Sequence, residues 1–108
     1  MTMEMIRHPG EDLFFEALLS LRTPQECKLF FEDVCTIKEL QAMSQRFRVA
    51  CQLDAGRNYL EVSESTGASS ATISRVNRCL NYGGGYQTAL QNLKKAGKMS
   101  HDGYDSEG

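Results

Sequence analysis

The 108 residues contain no tryptophan and only two prolines. Proline breaks helices and sheet ladders alike, so its scarcity leaves long stretches free to be helical. Polar and apolar residues nowhere alternate over a useful length, which argues against a half-exposed sheet. No run approaches the roughly 18–20 apolar residues of a membrane span, so no membrane is expected as a partner. Only two histidines occur, His8 and His101, one near each end. The four cysteines, Cys27, Cys35, Cys51 and Cys79, form no C-x-x-C pair. A zinc site needs clustered nitrogen and sulfur ligands, so neither a metal nor a cofactor is expected. Reduced thiols in a reducing compartment fit this spacing better, because free cysteine behaves as a small core hydrophobe. The opening stretch "MTMEMIRHPG" has no apolar run behind a basic patch, so a signal peptide is not expected and a cytoplasmic location is. No nucleophile–base pair or acid dyad is placed for catalysis, which excludes an evident enzyme.

Charge is present but unevenly spread. The formal net charge is −2, too low for a generally basic nucleic-acid protein. Residues 1–45 carry four basic and eight acidic side chains, residues 46–98 carry eight and three, and residues 99–108 carry none and three. The cationic part is thus confined to one segment, a modest signal for a surface that faces a polyanion. One domain is expected at this length, and a partner subunit would help so small a chain complete its core.

Helix punctuation divides the chain into about six helices, and the fold class is all-α. In "EDLFFEALLSL", Leu13, Phe14, Ala17, Leu18 and Leu21 recur at helical spacing. Thr23, Pro24 and Glu26 form a capping signature ahead of Cys27, Phe30, Phe31 and Val34. Thr36 and Glu39 repeat it ahead of a third stripe of Ile37, Leu40, Met43, Phe47, Ala50 and Cys51, with Gly56 as the stop. Asn58 can cap a short helix over 58–65 that ends at Gly67. Ser69 or Ser70 can cap the next, over 70–81, which ends at "YGGGY". The last helix, over 86–96, carries Ala89, Leu90 and Leu93, with Lys94 and Lys95 in its final turn. Residues 97–108 read as a mobile polar tail. The three glycines at 83–85 lack the Lys-Ser/Thr partner of a phosphate loop and read as a helix stop.

Helix, tight turn and helix across 58–81 is the layout of a helix-turn-helix. Such a motif needs a small residue where the helices approach, and Ser63 stands there. It needs a turn residue tolerant of positive φ, which Gly67 provides. Ile73 and Val76 face inward from the second helix toward Val62 of the first. The outward face then carries Ser70, Ala71, Thr72, Ser74, Arg75, Asn77 and Arg78. Small side chains at the helix start suit entry into a major groove about 12 Å wide, and its unpaired N–H groups attract phosphate. The third helical position holds Thr72 and not an acid, which would repel that phosphate. Arginine can pair with guanine through two hydrogen bonds, and asparagine with adenine.

The segments "QRFRVA", "TGASSATISR" and the "NYGGGY" that follows "RVNRCL" together resemble the Trp repressor superfamily, specifically its YerC/YecD-type branch. The resemblance runs from about Leu13 to Leu93. It implies an all-helical, intertwined homodimer in which the first three helices and the last interlock, with residues 11–56 serving dimerisation. It further implies two recognition helices facing adjacent major grooves, and so a palindromic site on double-stranded DNA. The two arginines that flank the tryptophan corepressor in this superfamily correspond to Arg46 and Arg75. Two departures speak against L-tryptophan here. The glycine that makes room for the indole is Val76, and the hydroxyl near the ligand amino group is replaced by Cys79, a poor hydrogen-bonding substitute.

The expected function is therefore a cytoplasmic, homodimeric, sequence-specific DNA-binding transcriptional regulator, in the sense of a repressor, without a tryptophan corepressor. Ser69, Ser70, Thr72, Arg75, Asn77 and Arg78 are the expected DNA contacts, and Arg46 with Arg75 the residues that would hold any effector. The alternative is a helical dimeric protein-interaction module that keeps the motif's shape but has lost DNA binding.

Overall fold

A computed structural model describes residues 10–99. His8, His101, the residues of the opening stretch before Gly10 and the tail from residue 100 onward lie outside the described residues. Six helices follow in order: α1 (Glu11–Ser20), α2 (Pro24–Val34), α3 (Ile37–Asp54), α4 (Tyr59–Thr66), α5 (Ser70–Tyr82) and α6 (Gly85–Lys95). The fold is all-α. The chain divides into two compact units, one ending at Leu40 and one beginning at Gln41.

In the first unit the capping residues act as their spacing requires. The Glu26 N–H donates to Thr23 Oγ1 at 3.0 Å, and the Arg22 N–H donates to Glu26 Oε1 at 2.7 Å. Thr36 and Glu39 bond reciprocally: the Glu39 N–H donates to Thr36 Oγ1 at 3.0 Å and the Thr36 N–H to Glu39 Oε1 at 2.8 Å. Each box satisfies two donors that a helix start leaves open. Phe14 stacks obliquely on Phe30, with ring centroids 5.8 Å apart, and Phe30 meets Phe31 edge to face. No residue of α1 or α2 is fully buried. Of the expected apolar faces, Leu13, Val34 and Ile37 are each more than half exposed and Phe14, Leu18, Phe30 and Phe31 are half-buried, while Leu19 and Leu29, which lie outside those faces, are also exposed.

The second unit holds the core. Val49 and Ala50 of α3, Val62 of α4, Ala68 of the turn, and Ile73 and Val76 of α5 form one buried cluster. Cys51, Leu80, Leu90 and Met99 form a second, which includes a residue of α6. Glycine ends two of these helices in the same way. At Gly56, in the left-handed region with φ 91°, the Gly56 N–H donates to Leu53 O and the Arg57 N–H to Gln52 O. At Gly97, with φ 76°, the Gly97 N–H donates to Lys94 O and the Lys98 N–H to Leu93 O. Both are paired C-terminal caps that a residue with a β-carbon adopts only under strain. The second corrects the start of the tail. Residues 97–99 are held by this cap, and Met99 is buried against Cys51, Leu80 and Leu90, because its long apolar side chain reaches the cluster that α6 leaves open.

Candidate nucleic-acid interface

The α4–turn–α5 unit is built from short-range bonds. The Asn58 side chain accepts from the Glu61 N–H at 2.9 Å while Glu61 Oε1 accepts from the Asn58 N–H at 3.1 Å, which starts α4. Gly67, with φ 76°, ends it and donates its N–H to Ser63 O at 2.8 Å. Ser63 Oγ donates to Ala68 O at 3.1 Å, so this small residue bonds to the turn it was expected to make room for. Thr66 is buried, and its hydroxyl donates to Val62 O at 2.7 Å and accepts from the Ala68 N–H at 3.2 Å. Every polar group named in the turn is thus satisfied without water.

Scaffold helix α3 grips the same turn. Gln45 Nε2 donates to Thr66 O at 3.1 Å, an Arg48 guanidinium nitrogen to Ser65 O at 3.2 Å, and Gln52 Nε2 to Ser65 Oγ at 2.8 Å. Two of these acceptors are carbonyls at the end of α4 that have no partner within the helix. Arg48 also places its charge at a helix C-terminus, where the dipole favours a cation. Gln45 and Arg48 stand in the "QRFRVA" segment, but spacing gave neither them nor Gln52 a role, because their partners lie 13–21 residues away.

Ser69, and not Ser70, caps α5: its Oγ accepts from the Thr72 N–H at 3.1 Å. The Ser69 hydroxyl in turn donates to Thr72 Oγ1 at 3.1 Å, and Thr72 is half-buried. The buried row Ile73, Val76 and Leu80 fixes the rotation of α5. Ser70, Ala71, Ser74, Arg75 and Arg78 stand exposed on the other side, and Asn77 is half-buried at its edge. No hydrogen bond or ion pair engages Arg75 or Arg78 with any described residue. The helix contains no acidic residue at all. By contrast Lys94 is committed, its ammonium 2.7 Å from Asp54.

Arg46, on α3, is half-buried. Val76 is 1% exposed and fills the core between Val49, Val62 and Ile73. Cys79 is exposed and lines an open apolar depression of about 420 Å³ with Phe47, Gly83, Gly85, Tyr86 and Ala89. Neither Arg46 nor Arg75 lines it. Among the described residues, no group of three or more His, Cys, Asp or Glu could hold a metal ion, and no helix is long and apolar enough to cross a membrane. Burial raises the Cys51 thiol pKa to about 11, with the Asp54 carboxylate adding to the effect.

A short helix capped by glycine, a satisfied turn, and a second helix whose far side offers unpaired arginines define a helix-turn-helix protein. The family model described as Trp repressor protein matches residues 10–94, and the chain belongs to that family, in its YerC-type branch. The uncharacterised protein YerC of Bacillus subtilis (strain 168) is 46% identical over 96 residues, which span 88% of this chain and 92% of that protein. A TrpR-like protein from Eubacterium eligens ATCC 27750 has a crystal structure that superposes with a TM-score of 0.79 at 49% identity, over 84% of this chain and 95% of that one. A Staphylococcus aureus protein proposed to be a Trp repressor superposes equally well at 40% identity, over 87% of this chain and 95% of that one. The family is one of non-catalytic DNA-binding proteins.

Proposed function

We propose that the chain is a homodimeric transcriptional regulator that binds a palindromic duplex site through α5 and acts as a repressor in the cytoplasm. The observation that carries this reading is the outward side of α5. Arg75 and Arg78 are exposed, no described residue neutralises them, and no acid shares their helix. Two unpaired guanidinium groups on a core-bearing helix gain most against a polyanion with planar acceptors. Ser69 and Ser70 at the helix start suit phosphate, Arg75 and Arg78 suit bases or phosphate, and Thr72 and Asn77 support the edges of the contact. The uncovered apolar side chains of α1, α2 and the start of α3 support a second copy of the chain as the dimer partner, with residues 11–56 as its dimerisation helices. Two copies would set their recognition helices about 34 Å apart, one turn of duplex. The protein acts without L-tryptophan, since Val76 occupies space within its own core.

The test is selection of bound sequences from a random duplex pool, with and without L-tryptophan. A two-fold symmetric site, identical in both arms, is the expected result. Failure to enrich any sequence in either arm would overturn the reading in favour of a protein-interaction module.

A further inference from the structure

Tyr82, the last residue of α5, is 87% exposed, more than any other large apolar side chain described. A single exposed tyrosine is commonplace. The helical phase of this one is not. Tyr82 stands four residues after Arg78, seven after Arg75 and eleven after Ala71, so all four share one stripe opposite Ile73, Val76 and Leu80. Eleven residues at 1.5 Å place Tyr82 about 16 Å along the axis from Ala71. A major groove is roughly 12 Å wide, so when the small residues at the start of α5 are inside it, the end of α5 has passed its rim.

The base of this side chain is held firmly. The Gly83 N–H donates to Cys79 O at 2.8 Å, and a β-carbon on Gly83 would stand 2.8 Å from that same oxygen. Gln87 Nε2 donates to Leu80 O, also at 2.8 Å, which closes another carbonyl of the last turn. The Tyr82 hydroxyl itself has no hydrogen bond to any described residue.

We propose that Tyr82 is a further DNA-binding residue, whose phenol donates a hydrogen bond to a backbone phosphate on the strand that borders the groove. This rests on the reading of α5 as the recognition helix and assigns its C-terminal end to the backbone. Tyrosine is among the side chains that bind phosphate oxygens, and such contacts fix register without reading sequence. A neutral phenol releases no counterion, which separates it from the arginines of the same stripe.

The experiment compares the full chain with Tyr82→Phe and Tyr82→Ala by fluorescence anisotropy on the selected duplex and on a scrambled one, over a range of salt. Sedimentation velocity of each variant accompanies it. Both variants should bind the selected duplex about tenfold more weakly, as expected for loss of a hydrogen bond to a charged acceptor. Discrimination between the two duplexes, the salt slope and the dimer should be unchanged. Tyr82→Phe binding like the unmodified chain overturns the proposal and leaves the reading of α5 intact. A variant that no longer dimerises also overturns it, because Tyr82 would then belong to the subunit interface. An unmodified chain that binds neither duplex overturns both.

Discussion

Gln45 Nε2 lies 3.1 Å from the carbonyl oxygen of Thr66, so the middle of α3 closes the last turn of α4 just where the chain bends toward the recognition helix. Gly67 sits directly beneath this bond: a β-carbon there would lie 3.9 Å from the same amide nitrogen. The orientation of α5 is therefore set by α3 as well as by the apolar contacts of Val62, Ile73 and Val76.

Replacing Gln45 with alanine removes that donor and leaves a partly buried carbonyl without one. A loss of about 1 kcal/mol in unfolding free energy is expected. Urea denaturation at one fixed protein concentration measures it, since the stability of a dimer depends on concentration. An unchanged midpoint would show that the apolar contacts alone hold the turn.

Cys51 gives a pH prediction with a definite sign. Burial, followed by Asp54, raises its pKa from 9.0 to about 11 in the folded chain. Below pH 9 both folded and unfolded states carry the neutral thiol, and the contribution to stability is fully present. Between pH 9 and 11 the unfolded chain loses the proton first, so stability falls by about 2–3 kcal/mol over that window. Cys51→Ala should flatten this part of the stability–pH curve. The same burial makes Cys51 slower to alkylate at pH 8 than Cys79, which is exposed on α5.

Arg75 and Arg78 should differ from Lys94 in their effect on DNA. Arg78→Ala is expected to weaken binding by about 1–3 kcal/mol and to lower the slope of log affinity against log salt by about one per protomer. Lys94 is held by Asp54 at 2.7 Å, so Lys94→Ala should change the salt slope far less. Anisotropy titrations between 50 and 200 mM salt, roughly the range over which such complexes weaken most visibly, distinguish the two. Equal effects from both would mean that the cationic segment acts as a diffuse field and not through α5.

Much of the fold was legible because its signals are local. Thr23 with Glu26, Thr36 with Glu39, and Asn58 with Glu61 each stand three residues apart; the second and third pairs bond reciprocally, while Glu26 donates its N–H to Thr23 and accepts from the N–H of Arg22. Gly56 and Gly67 end the helices they were expected to end, at positive φ. Ile73 and Val76 were legible as the inner row of α5 from spacing alone. What was hidden depends on distant pairing. Gln45, Arg48 and Gln52 look like ordinary solvated positions of α3 until Ser65 and Thr66 are folded against them. Met99 reads as part of the polar tail over 97–108 because its burial needs the cluster of Cys51, Leu80 and Leu90. The apolar stripes of α1 and α2 were legible, but period alone does not say that one chain leaves Leu13 and Val34 exposed.

Val76 carries the last prediction, because it separates stability from ligand response. Its side chain is 1% exposed and packs in the cluster of Val49, Ala50, Val62, Ala68 and Ile73. Val76→Gly removes a buried isopropyl group and puts glycine inside a helix, which together should cost about 3–4 kcal/mol. For the unmodified chain, calorimetric titration with L-tryptophan should give no binding heat, and operator affinity should be the same with and without it. The physical reason is that the space an indole would need at this position is already filled by the chain's own core. Cys79, one turn further along, offers a weak thiol donor where a hydroxyl would be needed. Tryptophan-dependent tightening in the unmodified chain would place the ligand elsewhere and would reopen the role of Arg46. If only Val76→Gly responds to tryptophan, then this one side chain is what closes the pocket.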